Sequence, residues 1–592
     1  MLAPLINISL FREFIEGDRL ILTPNHRLAA KITDAWAIAN RDDRRVWQAP
    51  RVFSIDHWLR FCWDELQDQN HDLVAGLGIV GQQQSRYYWE RAIKLNHPEL
   101  SSKYAKLADD TLSRLQQWNL AYPDVPSDSP AADYFKQWAQ SFDGLLHRNN
   151  LVTTAQSWHS IARGFEAGAL PIEDEIVLYG FQSIPPIQSN IINEASRQCT
   201  TIKTPISQTQ ASVLNVASPA EELRLAAHWA AQQLKINKDE RIGIIIPDLK
   251  DNLAAVARVI AEACQTEKIN PVVNISAGIS LSATAIVSQA LDLIGMLKQQ
   301  YPLEAWITIL YSPHSLFDRL PISFRVDAEN RLRAASRFTY DLREFLNEVM
   351  PNSSEDNSEH TDLILRPLIT TRDSRAVTEV TKQDYSSWAL MFKSVLNDLG
   401  WPGSRSLDSA EYQQRAHWDR LLEEFSELDN LLIEVGFNSA LKQLRLLAQD
   451  AVFHPQTADA PLQILGLLEG DGLRFDQLWI TGMHSQNFPA SVAINSLLPA
   501  SFQRLHAMPH SLPERELEIA QSLLQGFKNN TGRLLLSYPE LKGEEQMEPS
   551  PLLRLDPRVN SEVIAGDVTP HPRWLTPAHQ YEVFKDILIL KN

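Results

Sequence analysis

The chain has 592 residues and a formal net charge of −18 at pH 7, from 73 acidic against 55 basic side chains. It is too long for one core and should divide into roughly three or four packing units, while 44% apolar content with 15 Trp and 21 Phe excludes global disorder. Phosphate neutralisation dominates nucleic-acid affinity, so the acid surplus weighs against DNA binding by the surface as a whole and leaves it to local basic clusters.

No apolar run reaches the roughly 18 residues that span a bilayer. The N-terminal stretch to Leu10 lacks the basic region and cleavage site of a secretory signal. A cytoplasmic protein without membrane contact is therefore expected. Cys62, Cys199 and Cys264 are widely spaced, with no Cys-x-x-Cys pair. They read as three buried thiols in a reducing compartment, not as a disulfide framework, a zinc site or an iron–sulfur cluster.

In chain order, Arg19 to Asn25 reads as a buried strand ending in a Pro-Asn turn. His26 to Ala39 follows with apolar residues at Leu28, Ala29, Ile32, Ala35 and Trp36, which is helical spacing. Arg51 to Ser54 is a second strand, and Ile55 to Leu66 a Trp-rich helix. Residues 82–166 read almost wholly helical, and Glu175 to Gly180 returns to a strand. The plan then repeats. Ala211 to Ala217 is a strand, Pro219 opens a helix, and Arg241 to Pro247 is a strand. A long helical region runs to about 455, with Pro351 to Glu359 read as a flexible loop rich in Asn, Ser, Glu and Asp. Two apolar runs, Leu462 to Leu468 and Gln477 to Thr481, flank a polar turn at Gly470-Asp471-Gly472, and Arg533 to Tyr538 closes the set. Strand–helix alternation of this kind predicts an α/β protein with two parallel sheets, each interrupted by a mostly helical subdomain.

Several of these segments resemble the AddB/RecB-like helicase–nucleases of superfamily 1. Leu22-Thr-Pro-Asn-His-Arg-Leu-Ala29 is similar to motif Ia, Ile176-Val-Leu-Tyr-Gly-Phe181 to a degenerate Walker B strand, and Gly470 to Asp476 to motif V. Pro513 to Ala520, followed by Leu534 to Pro539, is similar to motif VI. The resemblance implies two P-loop-NTPase-like (RecA-like) domains. The first occupies 1–81 and 167–210 around a helical insertion at 82–166. The second occupies 211–295 and 459–555 around an insertion at 296–458, and 556–592 is a C-terminal tail.

The same resemblance exposes missing chemistry. A motor needs a Gly-x-x-x-x-Gly-Lys-Ser/Thr loop to cradle phosphates, and none occurs. Walker B carboxylates are replaced by Tyr179-Gly180. In motif V, Leu468 and Asp471 stand where His and Lys are expected, and Arg474 replaces a Glu. The remnant comprises Gly472, Leu473, Arg474, Phe475 and Asp476. In motif VI only Arg515 stands near the place of the phosphate-stabilising arginine, and an ion pair with Glu514 or Glu518 is its simpler role.

No nuclease motif completes itself around Glu540-Leu-Lys542, which falls in an expected loop, and no Gly-x-Ser-x-Gly is present. His484 reads as a structural histidine beside the motif V turn. No catalytic residue, metal or cofactor is therefore expected, and ATP and nuclease turnover should be low.

The reading is a non-catalytic helicase-like DNA repair or recombination protein that holds DNA, single strands or ends, beside a nuclease or helicase partner. Motif Ia would supply Thr23, Asn25 and Arg27 as DNA contacts; helix capping by Asn25 and a surface position for Arg27 fit the residues equally well. Arg41, Arg44 and Arg45, and the arginines from Arg325 to Arg337, are further basic clusters and candidate contacts, although bare charge runs are more often solvated faces. One alternative is a truncated AddB-like helicase–nuclease whose nuclease domain is missing from this chain. The other is a protein-interaction scaffold with no DNA role.

Overall fold

The computed structural model describes residues 2–40, 49–100, 103–205, 209, 211–297, 300–349, 382–431, 433–454 and 459–553. Arg41, Arg44 and Arg45, the loop from Pro351 to Glu359 and the tail 556–592 lie outside the described residues. The protein is a mixed α/β structure built on parallel sheets, and it forms two compact units. One comprises 1–277 with 457–592; the other is 278–456.

Two parallel sheets organise the first unit. Strands β1 (Leu20–Thr23), β2 (Val52–Ser54), β3 (Ile176–Leu178) and β4 (Cys199–Thr201) lie in the order β2-β1-β3-β4. β1 and β3 are buried along their whole length, which is why both read as unbroken apolar runs instead of alternating ones. Pro24 ends β1, and the Asn25 side chain accepts from the Leu28 N–H at 2.9 Å to cap the helix His26–Ala39.

The helices Gln82–Asn96, Tyr104–Gln117 and Pro130–Arg148 enter between β2 and β3. Trp89 at their centre stacks on Phe142 with ring centroids 4.1 Å apart and donates to Asp109 at 2.8 Å.

The second sheet holds β5 (Ala211–Val216), β6 (Ile242–Ile245), β7 (Val273–Ile275), β8 (Leu462–Leu465), β9 (Phe475–Ile480) and β10 (Thr531–Pro539), in the order β5-β10-β9-β6-β8-β7. All pairs are parallel. Gly243 in β6 allows close packing, because a Cβ there would stand 2.6 Å from Leu478 Cδ1 and 2.9 Å from Phe475.

Two expectations need correction. The run from Leu462 to Leu468 is not one strand: β8 stops at Leu465, Leu467–Gly470 is a helical turn, and Leu468 is 65% exposed. Cys199 is exposed on β4, while Cys62 and Cys264 are buried. β8 and β9, on either side of the turn, each pair with β6 from opposite sides.

The second unit is mainly helical and keeps its own core around Trp306, Trp388 and Trp418. Its arginine cluster is engaged internally. Arg331 donates to the Glu348 and Val349 carbonyls, Arg333 pairs with Glu329 and Arg337 with Glu344, while Arg325 lies over Tyr311. Among the described residues no helix is long and apolar enough to cross a membrane.

Arg241, just before β6, is the chief buried charge, at 2% exposure. It donates to the Ala3 carbonyl at 2.6 Å and the Ala460 carbonyl at 2.9 Å, pairs with Asp459, and its backbone N–H reaches Asp476 at 2.8 Å. Arg241→Met should destabilise the first unit by about 3 kcal/mol or more, because it leaves the Ala3 and Ala460 carbonyls and Asp459 without their side-chain donor. Urea denaturation checks this, and a loss below about 1 kcal/mol would contradict it.

Candidate functional site

In open parallel sheets, crevices form at the C-terminal strand ends where successive connections leave in opposite directions. β1 is such a point, with β2 on one side and β3 on the other; β6 is another, between β8 and β9. A cleft of about 820 Å³ opens where these strand ends face one another. Pro24, Asn25, Gly180 and Gln182 line it from the first sheet, and Pro247 to Asp251 and Gly466 to Glu469 from the second. The helix Pro513–Asn529 contributes Arg515, Ile519 and Leu523.

The two sheets are fastened at the edge of this cleft. Tyr179, at the end of β3, donates its hydroxyl to the Gly472 carbonyl at 2.8 Å, and Gln182 donates to Asp471 Oδ2 at 2.7 Å. Burial, and next the nearby Asp471 carboxylate, push the Tyr179 phenol well above its ordinary range, so it remains a donor. Burial also raises Asp471, against the opposing hydrogen bonds from Gln182 and the Gly472 N–H.

Gly472 has φ +76°, and a Cβ there would meet Tyr179 Cε1 at 3.1 Å. The position therefore suits glycine twice over. Phe11 adds an edge contact to Tyr179 at 4.8 Å, and one apolar core runs from Ile21, Leu28 and Val177 to Ile245, Leu473 and Phe475.

The expected contact residues serve this junction. Thr23 is fully buried, and its hydroxyl donates to the Asn25 carbonyl at 2.9 Å and the Phe53 carbonyl at 3.3 Å. It presents no group to a ligand. Asn25 spends its side-chain oxygen on the helix cap. Arg27 is not a free surface residue: it donates to the Ser276 carbonyl at 3.4 Å and lies 3.9 Å from Glu469. Burial lowers its pKa, opposed by Glu469. Glu469 in turn accepts from Ser276 and from the Gly466 N–H. Burial alone would raise this carboxyl, but those bonds with Arg27 and Lys250 hold it below its usual value.

Within the segment Gly472 to Asp476, Leu473 and Phe475 are buried. The Arg474 N–H donates to the Leu5 carbonyl at 2.7 Å, while its side chain is exposed. Asp476 accepts from the Arg241 backbone. Arg515 forms no ion pair with Glu514 or Glu518; it donates to Ser183 at 2.9 Å and lies 5.6 Å over the Trp118 ring. Glu540-Leu-Lys542 is not a loop end but leads into a two-stranded hairpin, Leu541–Lys542 with Glu545–Gln546. His484 is buried with Nδ1 unpartnered, and burial lowers its pKa.

The chain matches no family model and no curated protein. The side chains must therefore speak for themselves. Five carboxylates line the cleft (Asp248, Asp251, Glu469, Asp471 and Glu516) against Lys250 and Arg515 as its cations. Glu516 is engaged with His510, at 3.1 Å from the ring. This balance opposes a polyphosphate or nucleic-acid strand. Among the described residues, no group of three or more His, Cys, Asp or Glu side chains is placed to hold a metal ion.

Sequence reasoning missed the roles of Tyr179, Gln182 and Glu222. Glu222 is buried, accepting from Ser537 at 2.5 Å and from the Gly482 N–H at 2.9 Å, with Trp479 donating to the same Ser537 at 2.7 Å.

Two outcomes follow from these geometries. Tyr179→Phe should cost about 1 kcal/mol by stranding the Gly472 carbonyl. Gly472→Ala should cost about 1–2 kcal/mol through its left-handed backbone. Urea titrations of both and of the double variant should show coupling, and strict additivity would contradict the contact.

Burial pushes Glu222 from 4.5 up to about 7. The native state thus holds this proton more tightly than the unfolded chain does. The contribution is fully present below the unfolded value and is lost as pH rises through about 7. Glu222→Gln should therefore flatten the fall in stability between pH 5 and 8 by up to roughly 3 kcal/mol. Parallel pH profiles for the two proteins would contradict the assignment.

Proposed function

We propose that the first unit is a pair of RecA-like halves of AddB-like character, kept for their shape and fixed as a scaffold. On this reading the protein is non-catalytic and serves a DNA repair or recombination assembly by holding a partner protein. The observation that carries it is the Tyr179–Gly472 bond with its neighbour Gln182–Asp471. These residues stand at the positions that resemble Walker B and motif V. In a motor those positions meet nucleotide, and the halves change their separation with each turnover. Here their side chains bind one sheet to the other, over a shared apolar core.

The scaffold reading with a protein partner is favoured over direct DNA contact for an electrostatic reason. Of the motif Ia candidates, Thr23 is buried and Asn25 caps a helix, and Arg27 is held by Ser276 and Glu469. The cleft beside them carries more carboxylates than cations. Strand binding gains most of its affinity from phosphate neutralisation, which these groups do not offer.

Two assays on the full chain test the proposal. Purified protein with magnesium should turn over ATP no faster than a buffer blank, and turnover removed by one substitution in the cleft would overturn the scaffold. Oligo-dT anisotropy at low salt should show no binding. Salt-sensitive binding abolished by Arg27→Glu would restore the DNA reading instead.

A further inference from the structure

We infer that the cleft between the two sheets receives a protein segment bearing both apolar and basic side chains. This deepens the scaffold reading and rests on it. The first support is the surface of the cleft itself. Its floor is apolar at Leu249, Phe488 and Leu523, all three buried, and the half-buried Leu467 and Ile519 carry the apolar lining outward. At the mouth, Leu468 is 65% exposed.

Leu468 is held there and does not merely dangle. It sits in the turn Leu467–Gly470, whose Glu469 is tied to the Gly466 N–H and to Ser276. The anchored turn keeps the leucine in water. Ala490, also exposed, extends the apolar surface on the cleft lining. Apolar surface continuing from wall to mouth suits a chain segment that runs out of the cleft better than a small molecule enclosed by it.

The second support is charge. Asp248 and Asp251 are exposed at the start of the helix Leu249–Thr266, with Lys250 between them as the neighbouring cation. Neither aspartate has a cationic side chain within ion-pair distance among the described residues. Deeper in, Asp471 and Glu516 add negative potential although each has its own protein donor. A purely apolar segment would pass these carboxylates without offering them a counter-charge. A segment with lysine or arginine between its apolar residues satisfies both features, and an acidic segment or a nucleotide satisfies neither.

The test is fluorescence anisotropy with the full chain and a short labelled leucine–lysine peptide, compared with leucine–glutamate and serine–lysine peptides of equal length. Only the leucine–lysine peptide should bind well. Leu468→Asp should weaken it about tenfold. Asp248→Lys with Asp251→Lys should weaken it and make the residual binding less salt-sensitive. All three positions are exposed, and circular dichroism confirms that the variants fold. Equal affinity for the leucine–glutamate peptide, no effect of these substitutions, or displacement by magnesium ATP or oligo-dT would overturn the inference. Absence of peptide binding with ATP turnover still at background would overturn this site alone and leave the scaffold reading standing. ATP turnover from the cleft would end both.

Discussion

The junction between the two parallel sheets depends on one hydrogen bond and the space made for it. Tyr179 reaches the Gly472 carbonyl across a glycine in left-handed backbone, where a Cβ would crowd the phenol ring at 3.1 Å. That conformation turns the chain sharply after Asp471 and sends Leu473 and Phe475 down into the common core. The apolar contacts supply most of the stabilisation, since each buried large side chain is worth about 1.5–3 kcal/mol. The polar pair supplies orientation, because a phenol and an amide aimed at two defined oxygens permit one arrangement of the strand ends.

The surrounding polar groups extend the same constraint. Arg27 spans from the helix after β1 to Glu469 and Ser276, and Arg515 spans back from the helix Pro513–Asn529 to Ser183 and Trp118. At the other end of the second sheet Arg241 ties the Ala3 carbonyl to Asp459 and Ala460, while the Leu5 carbonyl accepts from Arg474. Asn495 adds a link at 2.8 Å to Thr111 in the helical insertion. The cleft and these links are thus parts of one compact unit, and the polar side chains around the cleft are committed to holding it together.

Much of the frame could be read from the residues, and the reason is burial. Strands β1, β3 and β6 are covered on both faces, so they appear as plain apolar runs, and Pro24 marks a strand end, while Asn25 fitted a helix cap as well as a ligand contact. Two of the four edge strands of these two sheets, β4 and β7, were not legible. Cys199–Thr201 has few apolar residues and an exposed pattern, and Val273–Ile275 is only half-buried.

The run Leu462 to Leu468 misled for a different reason: an unbroken apolar stretch cannot distinguish a strand from a strand followed by a helical turn. It took the capping of Gly466 by Glu469 to end it. Sheet order was equally hidden, because nothing local says that β6 lies between β8 and β9. The site itself was the least legible. Its residues were identified as degenerate, but Tyr179 and Gly472 are 293 positions apart and Ser183 and Arg515 are 332 apart. Residue identity alone does not report a contact between positions so far apart in sequence.

The central claim is that the two sheets hold one separation. Spin labels at Asp34→Cys on the helix His26–Ala39 and Arg258→Cys on the helix Leu249–Thr266, with the exposed Cys199 replaced, report that separation by pulsed electron–electron resonance. The account predicts a single narrow distance distribution that magnesium ATP leaves unchanged and that broadens in Tyr179→Phe. Two distances exchanged by nucleotide with Tyr179 intact would contradict it.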